Sequence, residues 1–258
     1  GQAIDFIQIP GILTRYCRDL NIDKLIARGT LAGTIAYKVS IKTKIPFYVE
    51  SFEPHADYMM ETGVWKKKSL KYIQQKKWES NQTINASGIM TVAEGYTKNL
   101  KIQYPSLQNI MTVPCAVDPD IFKFNLEDRK DIREQYGIDS KKIIGIYVGK
   151  FGSLYIDIHK LKFLIDLFSF FEDFGLVILT QVPEDQIITA FSSNIISARN
   201  LIIRNVQHDK VPQFLSASDF GLSINKSFPA GKYLSPIKIG EYWANGLPVL
   251  MTEGIGDE

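Results

Sequence analysis

The sequence predicts an α/β protein built on two doubly wound sheets, and three observations predict it. Short apolar runs bounded by Gly, Pro or Asp alternate with amphipathic stretches, the pattern of βα units around a mostly parallel sheet. A breaker-rich segment, Pro114–Asp128, separates two such series and puts the domain boundary near residue 122. At 258 residues and 45% hydrophobic side chains, the chain can fill a sizeable core.

In the first domain, residues 1–122, strands are expected near Lys24–Ala27, Pro46–Glu50, Gly88–Val92 and Ile110–Val113. Helices are expected near Leu31–Ile41, Trp65–Asn85 and Ala93–Gln103. In the second, residues 123–258, a polar helix Arg129–Tyr136 leads into strands Ile143–Val148, Leu176–Leu179, Leu201–Arg204, Phe220–Ser223 and Pro248–Leu250. The chain opens at GQAIDF without the strand and glycine-rich turn that begin a Rossmann-like domain, and it stops just after a strand. Both ends read as cut, which leaves the N-terminal domain incomplete.

Composition excludes several classes. Thirty basic and 28 acidic residues give a net charge of +2, which argues against a nucleic-acid partner. Cys17 and Cys115 lack CxxC spacing and read as reduced core thiols. No run of about 18 apolar residues occurs, and Gly1–Pro10 lacks both a charged start and a long apolar stretch, so the reading is a cytoplasmic protein. The stretch Trp65–Trp78, WKKKSLKYIQQKKW, reads as a solvated helix, with peripheral contact to an anionic membrane surface as the sharper alternative.

The most informative segment is SPIKIGEYWANGLPVLMTEGIGD, Ser235–Asp257. Ser235 as N-cap and Pro236 at the first helical position predict a helix start there, whose free N–H groups and positive dipole end suit a phosphate. Lys238 adds a full charge in the first turn, and Glu241, one turn on, suits the vicinal hydroxyls of a ribose. Asn245-Gly246 ends the helix. A solvated, ordinarily capped helix has the same spacing.

A second piece is KIIGIYVGKFG, Lys142–Gly152, where a buried strand runs into Gly149-Lys150-Phe151-Gly152. Glycine allows close backbone approach and Lys150 offers a point charge for a diphosphate. Strands ending in glycine turns are common, so spacing alone decides little. His55, with Glu50, Glu53 and Asp57, reads as polar decoration of an exposed loop, with an acceptor contact or general base as the alternative. His159 and His208 read as surface residues. Asp118-Pro119-Asp120 reads as turn chemistry and not a metal site.

Ser235–Val249 resembles the SPxK-x-x-EY-x-A-x-G-x-PV segment of the family 4 glycosyltransferases, and the likeness continues into Gly254–Asp257. VPCAVDPDIF at Val113–Phe122 resembles the family's interdomain turn, and VPQFLSASDFGLS at Val211–Ser223 its helix and strand before the donor loop. Ile26–Gly33 and TVAEGYTKNL at Thr91–Leu100 resemble it more faintly.

The resemblance implies two Rossmann-like domains of GT-B type and transfer of a sugar, with retention, from a UDP- or GDP-linked donor to a hydroxyl of a glycan or lipid-linked acceptor. It implies a place in polysaccharide or other glycan biosynthesis, at the inner face of a membrane or free in the cytoplasm. No separate cofactor or metal is implied. Glu241 would bind the donor ribose; Tyr233 stands where the family has the first Glu of its E-x7-E motif. Gly231, Ser235, Pro236 and Ile237 would approach the sugar and diphosphate, with Gly149 beside them. Lys150, Lys238 and the helix start would stabilise the departing diphosphate. Ser153–His159 lacks the family's second Lys, for which Lys160 or Lys162 is a loose substitute. Alternatives are a GT-B-type nucleotide-sugar epimerase and a non-catalytic nucleotide-sugar-binding subunit.

Overall fold

The apolar runs form two parallel sheets, each in its own unit of the chain. The computed structural model describes residues 2–152, 163, 171, 173–190 and 201–257. Unit 1 comprises Gly1–Pro114, Phe228–Ser235 and Gly254–Glu258; unit 2 comprises Cys115–Ser227 and Pro236–Glu253.

Unit 1 runs α1 (Gln2–Asp19), β1 (Leu25–Arg28), α2 (Thr30–Thr43), β2 (Phe47–Ser51), α3 (His55–Glu61), α4 (Leu70–Asn85), β3 (Gly88–Thr91), α5 (Glu94–Gln103) and β4 (Ile110–Thr112). The strands pair in parallel in the order β1-β2-β3-β4, with Leu25 opposite Phe47, Tyr48 opposite Gly88 and Ile89 opposite Ile110. Ala27, Ala36, Phe47 and Val49 form one small core and Ile89, Tyr96 and Leu100 another.

Three helices differ from expectation. No helix was expected at α1, whose buried stripe is Pro10, Thr14 and Cys17 while the larger apolar residues Ile7, Ile12 and Tyr16 face outward. Residues 55–61 form α3 instead of an exposed loop, with Ala56 fully buried. Helix α4 begins at Leu70 and not Trp65, because Lys68 is left-handed (φ 64°) and Ser69 caps the helix, accepting the Tyr72 N–H at 3.3 Å.

The inward face of α4 is polar: Gln75, Glu79, Gln82 and Thr83 are buried. Gln75 Nε2 donates to Thr30 Oγ1 at 3.2 Å and to Glu79 Oε1 at 3.1 Å, while Gln82 Nε2 donates to the Thr30 carbonyl at 3.2 Å. Where α2 meets this face a Cβ on Gly33 would lie 1.8 Å from Gln82 Oε1 and 3.1 Å from Val49 Cγ1, so the glycine gives the buried glutamine its room. Helix α5 has Ala93 as its N-cap and no side-chain acceptor of its own. Asp257 fills that role, accepting from the N–H groups of Glu94 and Gly95, the latter at 3.0 Å.

Unit 2 runs α6 (Leu126–Gln135), β5 (Ile143–Val148), β6 (Phe174–Leu179), α7 (Glu184–Ala190), β7 (Leu201–Arg204), α8 (Val211–Ala217), β8 (Phe220–Ser223), α9 (Ile237–Ala244) and β9 (Val249–Met251). The parallel order β7-β6-β5-β8-β9 means the chain starts mid-sheet, winds outward one way, then crosses and winds the other. The winding reverses between β5 and β8, the crevice where doubly wound sheets bind ligands. Both faces of β5 are covered: Ile144, Ile146 and Val148 enter one core and Tyr147 the other. Helix α6 starts three residues before Arg129, capped by Asn125, which accepts from Glu127 N at 2.8 Å.

Asp219 ties α6 to the sheet. It accepts from Arg129 Nη2 at 2.6 Å, Arg133 Nη2 at 2.8 Å and the Ile144 N–H at 2.7 Å. Asp118 Oδ1 accepts the Asp120 N–H at 2.9 Å, closing a local turn. Cys17 is buried, but Cys115 is partly exposed and so is no core thiol.

Helix α9 begins one residue later than its sequence suggests. Pro236 is the N-cap, extended at ψ 109°, and no side chain caps the helix, so Ser235 is not the cap. With ψ at 109° the backbone of Pro236 is itself still extended, so the first helical residue is Ile237. The helix ends at Gly246, left-handed at φ 74°, with the Leu247 N–H reaching the Tyr242 carbonyl at 3.0 Å.

Tyr242, fully buried on α9, locks the helix to the crevice. Its hydroxyl accepts the Val148 N–H at 3.1 Å and donates to the Leu222 carbonyl at 3.3 Å, taking one group from each strand as their pairing ends. Its ring lies so close to β8 that a Cβ on Gly221 would come within 2.4 Å of Cδ2. We expect Gly221→Ala to cost about 1–3 kcal/mol by overpacking. Tyr242→Phe should cost about 1–3 kcal/mol by stranding the Val148 N–H. Urea midpoints that fall at constant m-value check both.

Candidate functional site

The positions singled out in the sequence divide between the two units. Gly149, Lys150, Pro236, Ile237, Lys238 and Glu241 belong to unit 2, and Gly231, Tyr233 and Ser235 to unit 1. Ser153–His159, Lys160 and Lys162 lie outside the described residues.

In unit 2 the strand end and the α9 segment meet through Tyr242. Gly149 follows the last residue of β5, its N–H donating to the Leu179 carbonyl at 3.0 Å. The Tyr147 side chain folds over the turn, its hydroxyl donating to the Lys150 carbonyl at 2.6 Å, and a Cβ on Gly149 would lie 3.0 Å from that hydroxyl oxygen. Lys150 is exposed at the carboxyl edge of the sheet.

One residue before Tyr242, Glu241 is almost wholly buried, its side chain 3% exposed. Lys238 Nζ donates to Glu241 Oε2 at 2.7 Å, which the i,i+3 spacing on one helix face allows. His208 Nε2 lies 3.5 Å from Glu241 Oε1, and the His208 ring meets Phe122 edge-on with centroids 5.4 Å apart. His208, expected merely at the surface, is exposed yet stands at this carboxylate. No sequence signal could place it there, because it lies 33 residues upstream of Glu241. Arrangement and chemistry agree on one point: a buried carboxylate with one oxygen held by an ammonium can accept hydrogen bonds from a polar ligand on the other.

The positions in unit 1 lie on and beside a 3-10 turn, Pro229–Tyr233. The Ala230 N–H donates to Glu61 Oε2 at 2.6 Å, the Tyr233 ring stacks on Tyr96 with centroids 5.3 Å apart, and Phe228 meets Tyr58 at 5.6 Å. A Cβ on Gly231 would lie 2.6 Å from Ile255 Cδ1 and 3.3 Å from the Gly254 carbonyl, so the glycine leaves room for the segment packed on it.

A second group of ionisable residues lies in unit 1, partly exposed around the buried Glu79. Glu79 Oε1 accepts the Ala56 N–H at 2.8 Å and Gln75 Nε2 at 3.1 Å. His55 Nδ1 is 2.9 Å from Glu53 Oε1 and its ring meets Trp65 edge-on. Asp57 takes the Tyr72 hydroxyl and Lys76 Nζ, each at 2.9 Å. Among the described residues no group of three or more His, Cys, Asp and Glu could hold a metal ion, and no helix is long and apolar enough to cross a membrane.

No protein-family model and no curated protein matches the chain. Likeness exists to solved structures. Sucrose-phosphate synthase of Thermosynechococcus elongatus aligns with a TM-score of 0.69 at 12% identity, over 96% of this chain and 60% of that one. HepE of Anabaena, in complex with UDP, aligns with a TM-score of 0.71 at 13% identity, over 96% and 64%. UDP-GlcNAc 2-epimerase of Neisseria meningitidis, bound to UDP-GlcNAc, aligns with 0.60 at 15%, over 98% and 65%. The chain thus spans 60–65% of the length of these proteins. Such likeness establishes the fold: two Rossmann-like units of GT-B type.

Burial gives Glu79 a pH signature. It pushes the carboxyl up from 4.5 to about 7, against the bonds from Gln75 and Ala56. Between those values the folded state keeps a proton that the unfolded chain has released, so stability falls as pH rises through the window. The Glu53 hydrogen bond raises His55 above 6.5, which acts in the same direction at higher pH. From about pH 5 to about pH 8 the protein should lose about 3 kcal/mol more stability than its Glu79→Gln variant. Urea midpoints across that range measure the difference.

Proposed function

We propose that the chain is the greater part of a glycosyltransferase that moves a sugar from a nucleotide-sugar donor to a hydroxyl acceptor in glycan or polysaccharide assembly. The observation that carries this reading is the buried Glu241 carboxylate between Lys238 and His208, on a helix fastened by Tyr242 to the reversal point of a doubly wound sheet. The GT-B fold supports it, as do the ligands bound by proteins with the same fold: UDP and UDP-glucose for HepE, UDP-GlcNAc for the epimerase.

In this reading the residues after about Phe122 carry the donor and the preceding ones the acceptor. Glu241 Oε1 accepts from the ribose hydroxyls, while Lys238 fixes Oε2 and keeps two ammonium hydrogens for phosphate. The first N–H groups of α9, at Ile237 and Lys238, face the same anion. Departure of the nucleoside diphosphate is the costly charge separation, and Lys150 at the strand edge stabilises it. Pro236, at the start of α9, and Gly149, at the end of β5, line the sugar side. The donor is UDP- or GDP-linked, the configuration at the anomeric carbon is retained, no metal takes part, and the acceptor is a glycan or a lipid-linked saccharide at the cytoplasmic face of a membrane.

The epimerase likeness favours one other reading, in which the same pocket serves a reaction needing no acceptor. Product analysis with donor alone separates the two: an epimerase inverts a stereocentre of the sugar, whereas a transferase without acceptor leaves the sugar's configuration unchanged.

Calorimetric titration with UDP, GDP and their sugar conjugates tests the donor site. One nucleotide should bind, and Glu241→Ala should weaken it about 10–100-fold without unfolding the chain. Absence of binding by the folded protein would overturn the reading. In the full-length enzyme, Lys150→Ala should lower turnover by about 10²–10³ with little change in stability. An unchanged rate would remove Lys150 from its role.

A further inference from the structure

The polarity of helix α4 is inverted. Its inward face buries Gln75, Glu79, Gln82 and Thr83, while its outward face carries aliphatic side chains. Leu70 is 87% exposed, Ile73 53% and Ile84 63%. At about 100° per residue, Leu70, Ile73, Lys77 and Ile84 share a stripe about 60° wide, opposite Gln75 and Glu79. A helix with only water on its outer side turns such residues inward.

The approach to α4 adds charge. Six lysines and no carboxylate lie between Thr62 and Trp78. Lys76 is tied to Asp57. Lys66, Lys67, Lys68, Lys71 and Lys77 are exposed, and among the described residues none of these five pairs with a carboxylate. With a net charge of only +2 on the whole chain, this is a local concentration of positive charge.

The aromatic residues of the same stretch are engaged within unit 1. Trp65 meets His55 edge-on, Trp78 stacks on Phe6 with centroids 4.5 Å apart, and the Tyr72 hydroxyl donates to Asp57. The outward apolar part is therefore aliphatic, and Val64 in the preceding loop, 51% exposed, continues it.

Aliphatic stripe and free lysines together select the partner. Nucleic acid would take the lysines and leave the stripe in water. A bilayer with anionic headgroups takes both, because lysine stems lie along the apolar boundary while their ammonium groups reach the phosphates. A plane of headgroups also meets loop and helix together.

We propose that the outer face of α4 and the loop before it form a docking surface for an anionic lipid bilayer. Leu70 and Ile73 enter the headgroup boundary, and the five free lysines hold the lipid phosphates. The surface belongs to unit 1 alone. Binding there needs neither donor nor acceptor, so the assignment goes beyond the proposed reaction and does not rest on it.

Co-sedimentation of the whole chain with phosphatidylcholine vesicles, with and without about 30% phosphatidylglycerol, tests it. The protein should pellet with the anionic vesicles and stay in solution with the neutral ones. Raising NaCl from about 0.1 to about 0.5 M should weaken binding about tenfold or more. Joint Lys67→Glu, Lys68→Glu and Lys71→Glu should lower the partition coefficient about 100-fold or more. Leu70→Gln with Ile73→Gln should lower it about tenfold. Urea midpoints close to the parent's establish that both variants are folded. The assignment is overturned if the protein ignores anionic vesicles, binds neutral ones equally, or loses nothing in either variant. It is also overturned if sedimentation velocity without lipid shows a dimer that Leu70→Gln with Ile73→Gln abolishes, which would give the face to a second copy. The nucleotide titration uses no lipid, so either assignment can fail alone.

Discussion

The Tyr242 hydroxyl is the contact on which the geometry of unit 2 depends. Strands β5 and β8 pair through Tyr147 and Leu222 and then part, leaving a backbone donor on one and an acceptor on the other. A single phenol satisfies both. Deep burial drives its pKa upward, so the group stays a neutral hydroxyl that can accept and donate at once. Because Tyr242 follows Glu241 directly, the bond that closes the crevice also fixes where the carboxylate begins. Gly221 completes the arrangement by giving the ring room.

Unit 1 solves a different problem with different chemistry. Its helix α4 turns Gln75, Glu79 and Gln82 inward, and Thr30 and the Ala56 N–H answer them. A polar interior of this kind specifies one register between α2 and α4, because the amide nitrogens of Gln75 and Gln82 both reach Thr30, each at a set height along the helix. It also keeps an ionisable group close to neutrality of charge near physiological pH. An apolar layer would pack with more tolerance and without that sensitivity.

Much of the fold was legible because β5 and β6 are covered on both faces and so read as unbroken apolar runs. Helix α1 was not, since its buried stripe of Pro10, Thr14 and Cys17 is weakly apolar, larger apolar residues face outward, and a proline sits inside it. The start of α4 was misplaced because a left-handed Lys68 has no sequence signature, whereas Ser69 could have served as one. At the site, Lys238 and Glu241 were legible as neighbours through helical spacing alone. His208 was not, because its approach to Glu241 depends on the loop before α8. Tyr242 sat in plain view within EYWANG, but a tyrosine among apolar residues reads as core, and the use of its hydroxyl is a tertiary fact.

Asp257 caps α5 across more than 160 residues of sequence, and Ala230 meets Glu61 across 169. Unit 1 is consequently finished only when the last residues of this chain are available to it. During synthesis its sheet can assemble early, yet the first turn of α5 keeps two bare N–H groups and Glu61 lacks its partner until unit 2 has been made. Closing such long loops carries an entropic cost that short-range contacts avoid. A piece ending at Pro114 would therefore be a sheet with an open helix end, not an independent half of the molecule.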